Sequence, residues 1–341
     1  MSLALGLILL ASTAAACSTE ASAGCTPTIA PVDGQADAAA VCVAAELDSW
    51  LADRQMGVGQ QLNVSSTAFE DPLKALAPQR PALVGFDLAE LRDAIAQGND
   101  PTDALVALAQ QGTLLTATWH ARNPSTGGDS GDRSWTHAAD LLDPTTSAYA
   151  SFWSSWDEQL ANLKGFQDAG VAVILSPLHE AGGDWFWWGG MDPATYRAVW
   201  ERMQQRAAEA GVHNLLWAFA AAPRTRTEII DPLRLLPSTV DVVGIDTYQD
   251  TRASRSPSVD LTDYNRLAAQ APRMALTEVG PHGSDGSWTP SVITRTVRAA
   301  GVRPVYARLW FDDDDGRKAI ASLKEGRQWL AGCPQGRCPL S

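Results

Sequence analysis

The sequence predicts a single-domain (β/α)8 barrel of the TIM type, and three observations carry that reading. Short apolar runs alternate with longer helix-like stretches from residue 50 or so to residue 330, the pattern of repeated βα units around a parallel sheet. The runs number eight, which suits a closed barrel better than an open doubly wound sheet. No Gly-x-Gly-x-x-Gly fingerprint or phosphate-binding loop occurs, so a nucleotide cofactor has no support.

In chain order the strand candidates begin with Met56–Gln60, Ala82–Asp87, Thr113–Trp119 and Val171–Leu175. Asn214–Phe219, Val240–Ile245, Met274–Leu276 and Pro304–Trp310 complete the set. Each is too short for a typical helix and rich in apolar residues. Between the fourth and fifth, Asp192 to Gly211 opens on Asp-Pro and closes on Gly, which are helix start and stop signals. The helix-like stretch Ala150 to Leu163 carries Trp153 and Trp156, expected to pack in the core or at the rim. Residues 17–45 read as a tether with an early helix, 46–332 as the barrel, and 333–341 as a tail.

Composition narrows the function classes. With 45% hydrophobic and 19% charged residues, the 341-residue chain has the means to bury a large core. A formal net charge of −13 argues against nucleic acid or an anionic membrane surface as partner. Thirteen Trp against five Tyr is a skew that a sugar-binding cleft would use, since broad apolar rings stack against sugar C–H groups. About two thirds of these tryptophans are expected in the core all the same.

The N-terminus reads as an export signal. Leu3 to Leu10 form an apolar stretch followed by small residues through Ala16, so residues 1–16 are expected to be a signal peptide. Met1-Ser2 lacks the usual basic residue. Ala14-Ala15-Ala16 permits cleavage before Cys17, which would be acylated in a lipoprotein; position 14 is Ala where such proteins carry a larger apolar residue. The expected product is secreted or a cell-surface lipoprotein, touching membrane only through a lipid at Cys17. Four further cysteines, Cys25, Cys42, Cys333 and Cys338, allow three pairings. Loop-closure entropy favours Cys25–Cys42 and Cys333–Cys338, and a tie from the N-terminal extension to the tail stays open. No ligand set for zinc is apparent, and neither metal nor organic cofactor is expected.

The candidate chemistry sits at strand ends. Glu180 follows the fourth strand and precedes Gly182-Gly183-Asp184-Trp185-Phe186-Trp187-Trp188; Glu278 ends the seventh. His120, Asp246, Tyr248 and Trp310 fall at or just past the ends of the third, sixth and eighth strands. In a barrel these ends share one rim, where active sites lie. Two carboxyl groups flanked by aromatic faces are what hydrolysis of a glycosidic bond requires. An apolar wall would raise the pKa of Glu180, and hydrogen bonds to Glu278 would lower the other. Other residues read as structural. Asp312–Asp315 is expected to be a solvated charge run. His213 and His282 are isolated in the sequence, with His282 only four residues past Glu278. Trp135 and His137 fit either a distant subsite or loop packing.

These segments resemble one known family. Trp119-His120-Ala-Arg-Asn123-Pro124 with Gly127-Gly128-Asp129, His179-Glu180-Ala-Gly-Gly-Asp-Trp185-Phe-Trp-Trp188, Val243-Gly244-Ile-Asp246-Thr-Tyr248 and Leu276-Thr-Glu278-Val-Gly280 are similar, in order, to motifs of glycoside hydrolase family 26. The resemblance implies Glu180 as general acid/base and Glu278 as nucleophile. It makes His179 a contact to the hydroxyl beside the reacting carbon, and Tyr248 a hydrogen-bond donor to the nucleophile, with Asp246 on the same wall. Trp185 and Trp310 become sugar platforms and His120 a contact in the adjoining subsite. The family often has Arg four positions before the acid/base, where this chain has Ser176, so a positive charge beside Glu180 is expected to be missing. The implied activity is a retaining endo-β-1,4-mannanase acting as a monomer on mannan-type polysaccharide. The alternatives are the same chemistry on mixed-linkage glucan or xylan, or an inactive glycan-binding surface protein.

Overall fold

Eight parallel strands close on themselves in the computed structural model, which describes residues 24–135, 137–225, 227–251 and 258–341. They are β1 (Gln55–Gln61), β2 (Leu83–Asp87), β3 (Leu114–Trp119), β4 (Val173–Pro177), β5 (Leu215–Ala221), β6 (Val242–Asp250), β7 (Met274–His282) and β8 (Tyr306–Leu309). Each pairs with its successor, and β1 pairs with both β8 and β2, so the ring has no open edge. The expected (β/α)8 barrel is the observed fold. Strands β2, β3, β4 and β5 are buried along their whole length, lumen on one side and helices on the other. That is why they read as unbroken apolar runs rather than alternating ones.

Two strands outrun their sequence signal. Strands β6 and β7 continue to Asp250 and His282, well past Ile245 and Leu276 where the apolar runs stop. Their extensions are polar because they line the mouth. The register between them also slips: Ile245 pairs with Leu276, but Asp246 pairs with Glu278, leaving Thr277 as an extra residue. Such a bulge re-aims the side chains that follow it, and here it sets Glu278 beside Asp246. Gly244 makes room for the displaced chain, since a Cβ there would lie 2.3 Å from the Thr277 hydroxyl.

The opposite end of the barrel is floored by the helix Ala38–Ala52, N-capped by the Asp37 carboxylate. It buries Ala40, Ala44, Leu47 and Trp50 against Leu83, Leu114, Ile174, Leu216, Val242 and Ala275 at the strand starts. The anticipated barrel start at residue 46 falls within this helix. Arg273, just before β7, pairs with Asp48 at 2.8 Å beneath it. Cysteines pair as local closure favours, Cys25 with Cys42 and Cys333 with Cys338. The tail adds a short strand, β9 (Arg337–Pro339), antiparallel to the start of β1. The expected signal segment and Cys17 lie outside the described residues.

The outer layer accounts for most of the tryptophan. Trp153 and Trp156, on the helix Ser147–Asp168, are buried, and Trp156 packs 5.3 Å from Trp119. Only Trp185, Trp288 and Trp310 keep partial exposure, so core packing takes more than the two thirds anticipated. The helix Pro193–Glu209 begins where expected, with Asp192 accepting from the amides of Ala194 and Thr195.

Candidate active site

All eight candidate site residues stand at the C-terminal rim of the barrel, as their strand positions require. Glu180 is delivered by a tight exit from β4 in which Leu178 (φ 49°), Glu180 (φ 50°) and Gly182 (φ 88°) all take left-handed conformations. That backbone is uncommon for non-glycine residues and is held by the Ala181–Ala221 bridge to β5. It turns the Glu180 side chain into a cleft of about 350 Å³ lined also by Trp185, Thr225, Asp246, Tyr248 and His282. One carboxylate oxygen from each of Glu180, Asp246 and Glu278 lies within 4.8 Å of the others. Among the described residues this trio alone has a spacing that a cation could bridge.

The two glutamates sit in different surroundings. Tyr248 donates its hydroxyl to Glu278 Oε2 at 2.8 Å, and Arg308 donates to Oε1 at 3.1 Å. Trp185 donates its indole N–H to Glu180. Burial pushes the Glu180 carboxyl well above its ordinary range, and the neighbouring Glu278 and Asp246 carboxylates push it further. The direction is the one expected of an apolar wall, and the Trp185 hydrogen bond opposes it only in part. Glu278 also titrates above its ordinary range rather than below it as expected, because burial outweighs the opposing pull of Arg308, Tyr248 and His120. Among the described residues only Glu278 of the two has a paired cation, Arg308, which favours its ionised form. Asp246, buried and next to Glu278, is held well above the usual range by burial and by that carboxylate. The Tyr248 phenol is raised for the same two reasons and stays protonated as a donor.

The other wall is aromatic and imidazole. The His120 ring stands 4.5 Å from His179, 5.3 Å from Phe186 and 6.1 Å from Trp310, edge-on in each case. Asp87, the last residue of β2, accepts from both the backbone N–H and Nδ1 of His120 at 2.9 Å. Burial alone would lower the His120 pKa, but the Asp87 carboxylate reverses that and raises it. His179 goes the other way: burial, His120 and Arg308 hold it well below the ordinary value, so it is neutral. In the Trp-rich loop, Trp187 and Trp188 are buried and donate to the carbonyls of Ala121 and His179. The ridge left facing the cleft is Trp185 and Phe186. Beyond it lies a second cavity of about 420 Å³ bordered by Arg133, Trp135, His137 and Phe186; Trp135 itself is core, packed on Trp187.

Several residues behave differently from their sequence reading. His213 and His282 each have a carboxylate partner, Asp33 at 2.8 Å and Asp315 at 2.9 Å. His282 also stacks on Tyr248 at 4.5 Å, at the mouth. The Asp312–Asp315 run is not simply solvated: Asp312 accepts from the amides of Lys318 and Ala319, and Asp313 and Asp315 both pair with the Lys318 ammonium. Arg308 and Asp87 were missed. Their one sequence signal was position, Asp87 at a strand end and Arg308 two residues before Trp310. Ser176 carries no charge, as expected, and its hydroxyl donates to the Ala218 carbonyl.

Known proteins resemble this chain in sequence and in fold. The model of glycosyl hydrolase family 26 matches residues 32–329. The mannan endo-1,4-beta-mannosidase of Bacillus subtilis strain 168 is 24% identical over 274 residues, covering 75% of this chain and 73% of that one. The mannan endo-1,4-beta-mannosidase A and B of Caldalkalibacillus mannanilyticus is 30% identical over 224 residues, 61% of this chain and 42% of that one. The crystal structure of a Bacillus subtilis mannanase superposes with a TM-score of 0.74 at 22% identity, covering 89% of this chain and 93% of the other.

Proposed function

The chain belongs to glycosyl hydrolase family 26, and on that premise we propose that it is an endo-β-1,4-mannanase using Glu278 as nucleophile and Glu180 as acid/base. The observation that carries this reading is the approach of the two carboxyl groups at the barrel mouth, with one oxygen of each within 4.8 Å of one oxygen of the other. Retaining hydrolysis uses a separation of about 5–5.5 Å, whereas inversion needs about 6.5–9.5 Å to seat a water between them. The short spacing supports retention, and the mannan-cleaving relatives support the substrate.

The chemistry follows from the surroundings. Glu180 keeps its proton and gives it to the glycosidic oxygen as Glu278 attacks the anomeric carbon, forming a glycosyl-enzyme ester. Glu180, now a carboxylate, takes a proton from water as that water attacks the same carbon and releases Glu278. Trp185, hydrogen-bonded to Glu180, orients the acid and offers its face to the leaving sugar. Trp310, edge-on to His120, offers a second aromatic face. Neutral His179 meets the hydroxyl beside the reacting carbon, and His120 meets the sugar of the adjoining subsite.

Export is part of the same proposal. Two disulfides support an oxidising compartment, in keeping with an extracellular polysaccharide as substrate. No helix among the described residues is long and apolar enough to cross a membrane. Cys17 acylation and a monomeric state remain proposals of the sequence reading.

The deciding experiment is reducing-sugar release from linear β-1,4-mannan, with xylan and mixed-linkage glucan in parallel. Mannan should be hydrolysed, and Glu278→Ala should lose about 10³-fold or more in kcat. Turnover of another glycan alone would replace the substrate and keep the mechanism. Binding of mannan with no turnover of any glycan would replace the enzyme with a glycan-binding protein.

A further inference from the structure

Arg308 is the charged group at the nucleophile that the mechanism above leaves without a task. It begins on β8 and reaches across the lumen. Its Nε donates to the Thr277 carbonyl at 3.0 Å, one terminal nitrogen donates to Gln61 on β1 at 2.6 Å and Thr116 on β3 at 3.1 Å, and the other meets Glu278. The residue is only 2% exposed. Strand β2 lies between β1 and β3 and presents only Gly85 at this level. A Cβ there would fall 2.5 Å from the guanidinium and 2.0 Å from Gln61 Oε1. Four strands and one missing side chain therefore shape the space around this arginine.

A buried cation is costly unless an anion and well-placed acceptors offset it. Among the described residues the carboxylate paired with Arg308 is Glu278. The planar fork of a guanidinium, held at two of its nitrogens by Thr277, Gln61 and Thr116, holds its fourth contact in one direction, which a lysine has no means to do. Ser176 on β4, whose hydroxyl is spent on Ala218, adds no charge to the lumen. We infer that Arg308 is a positioning residue, delivered from β8, that fixes the orientation of Glu278 and keeps it ionised despite burial. This inference rests on Glu278 being the nucleophile.

The sign of the effect is determined by charge. A guanidinium beside a carboxyl favours the anion, so its loss raises the Glu278 pKa. The acid limb of kcat/KM, which needs Glu278 ionised, then moves to higher pH by about one unit or more. The test compares wild type, Arg308→Met and Arg308→Lys on a mannooligosaccharide across pH, with circular dichroism melts as a folding control. Expected for Arg308→Met is an acid limb shifted upward and a plateau kcat at least about ten-fold lower, with KM within about three-fold of wild type. Arg308→Lys should keep most of the limb and lose plateau kcat, because charge survives and the fork does not. A folded Arg308→Met with the wild-type acid limb overturns the inference. If the methionine variant does not fold, Arg308→Lys decides: unimpaired kcat with a lowered melting temperature marks a merely structural arginine. An inactive wild type would instead refute the mannanase reading, so the two failures are distinguishable.

Discussion

Glu180 has the clearest individual signature in the molecule: a left-handed backbone, an indole donor and two carboxylate neighbours within reach. If it is the acid, removing it must hurt only bonds whose leaving group needs a proton. Glu180→Ala should lose about 10²–10⁴-fold on mannan, the usual contribution of general acid catalysis. On a 2,4-dinitrophenyl mannoside the first step should survive as a rapid burst of dinitrophenolate. The steady rate after the burst should be slow, because the base for the second step is also gone, and azide should accelerate it. Equal losses on both substrates, with no burst, would remove Glu180 from the role. Both glutamates were legible in the sequence because each ends an apolar run at a strand tip. Arg308 and Asp87 were not. A lone arginine inside a strand gives no sign that it crosses the lumen, and the Asp87 contact to His120 spans 33 residues of chain. Long-range pairing also hid the partners of His213 and His282, whose carboxylates lie 180 and 33 residues away.

Elements were legible to the degree that their burial is uniform. The eight strands could be read because helices cover them on one face and lumen side chains on the other, so polar residues within them are few. The reading ended early on β6 and β7, where the rim residues must be polar to meet a sugar. The one-residue slip at Thr277 left no trace at all, although it sets Glu278 against Asp246. A further consequence concerns the helix Leu88–Ala96, which follows β2 and is capped by Asp87. Glu90 in its first turn has the sign that suits a helix N-terminus. Burial, with the Asp87 carboxylate close by, nevertheless raises its pKa to about 8. The folded state therefore holds a proton there that the unfolded chain gives up near pH 4.5. This contribution to stability is full below that value and is lost as pH rises toward about 8. Glu90→Gln cannot titrate and keeps an acceptor for the Val64 amide. Its melting temperature relative to wild type should climb between pH 5 and pH 9, by no more than about 1.4 kcal/mol of stability per pH unit. A difference that stays flat across that range would mean Glu90 is ionised in the folded protein.

At the scale of the whole molecule, the barrel separates what it does from what holds it together. Chemistry is confined to the C-terminal rim, while the floor is closed by the helix Ala38–Ala52 and the segment before it. Asp48 is the knot of that floor. It accepts from Arg273 Nε at 2.8 Å and from the amides of Thr28 and Ile29, drawing the N-terminal segment onto the strand starts. Arg273 has a fully buried side chain, and its other bonds go to the carbonyls of Ile29, Asp241 and Ala44. Asp48→Ala would take away the carboxylate that cation is paired with, a loss that costs about 3–5 kcal/mol when one partner of a buried pair is removed. The urea midpoint should fall accordingly. At temperatures where the variant is folded, kcat on mannan should equal that of wild type, since no rim residue touches Asp48. A kcat loss in the folded variant would show that the floor sets the geometry of Glu180 and Glu278, and the division between the two ends of the barrel would have to be abandoned.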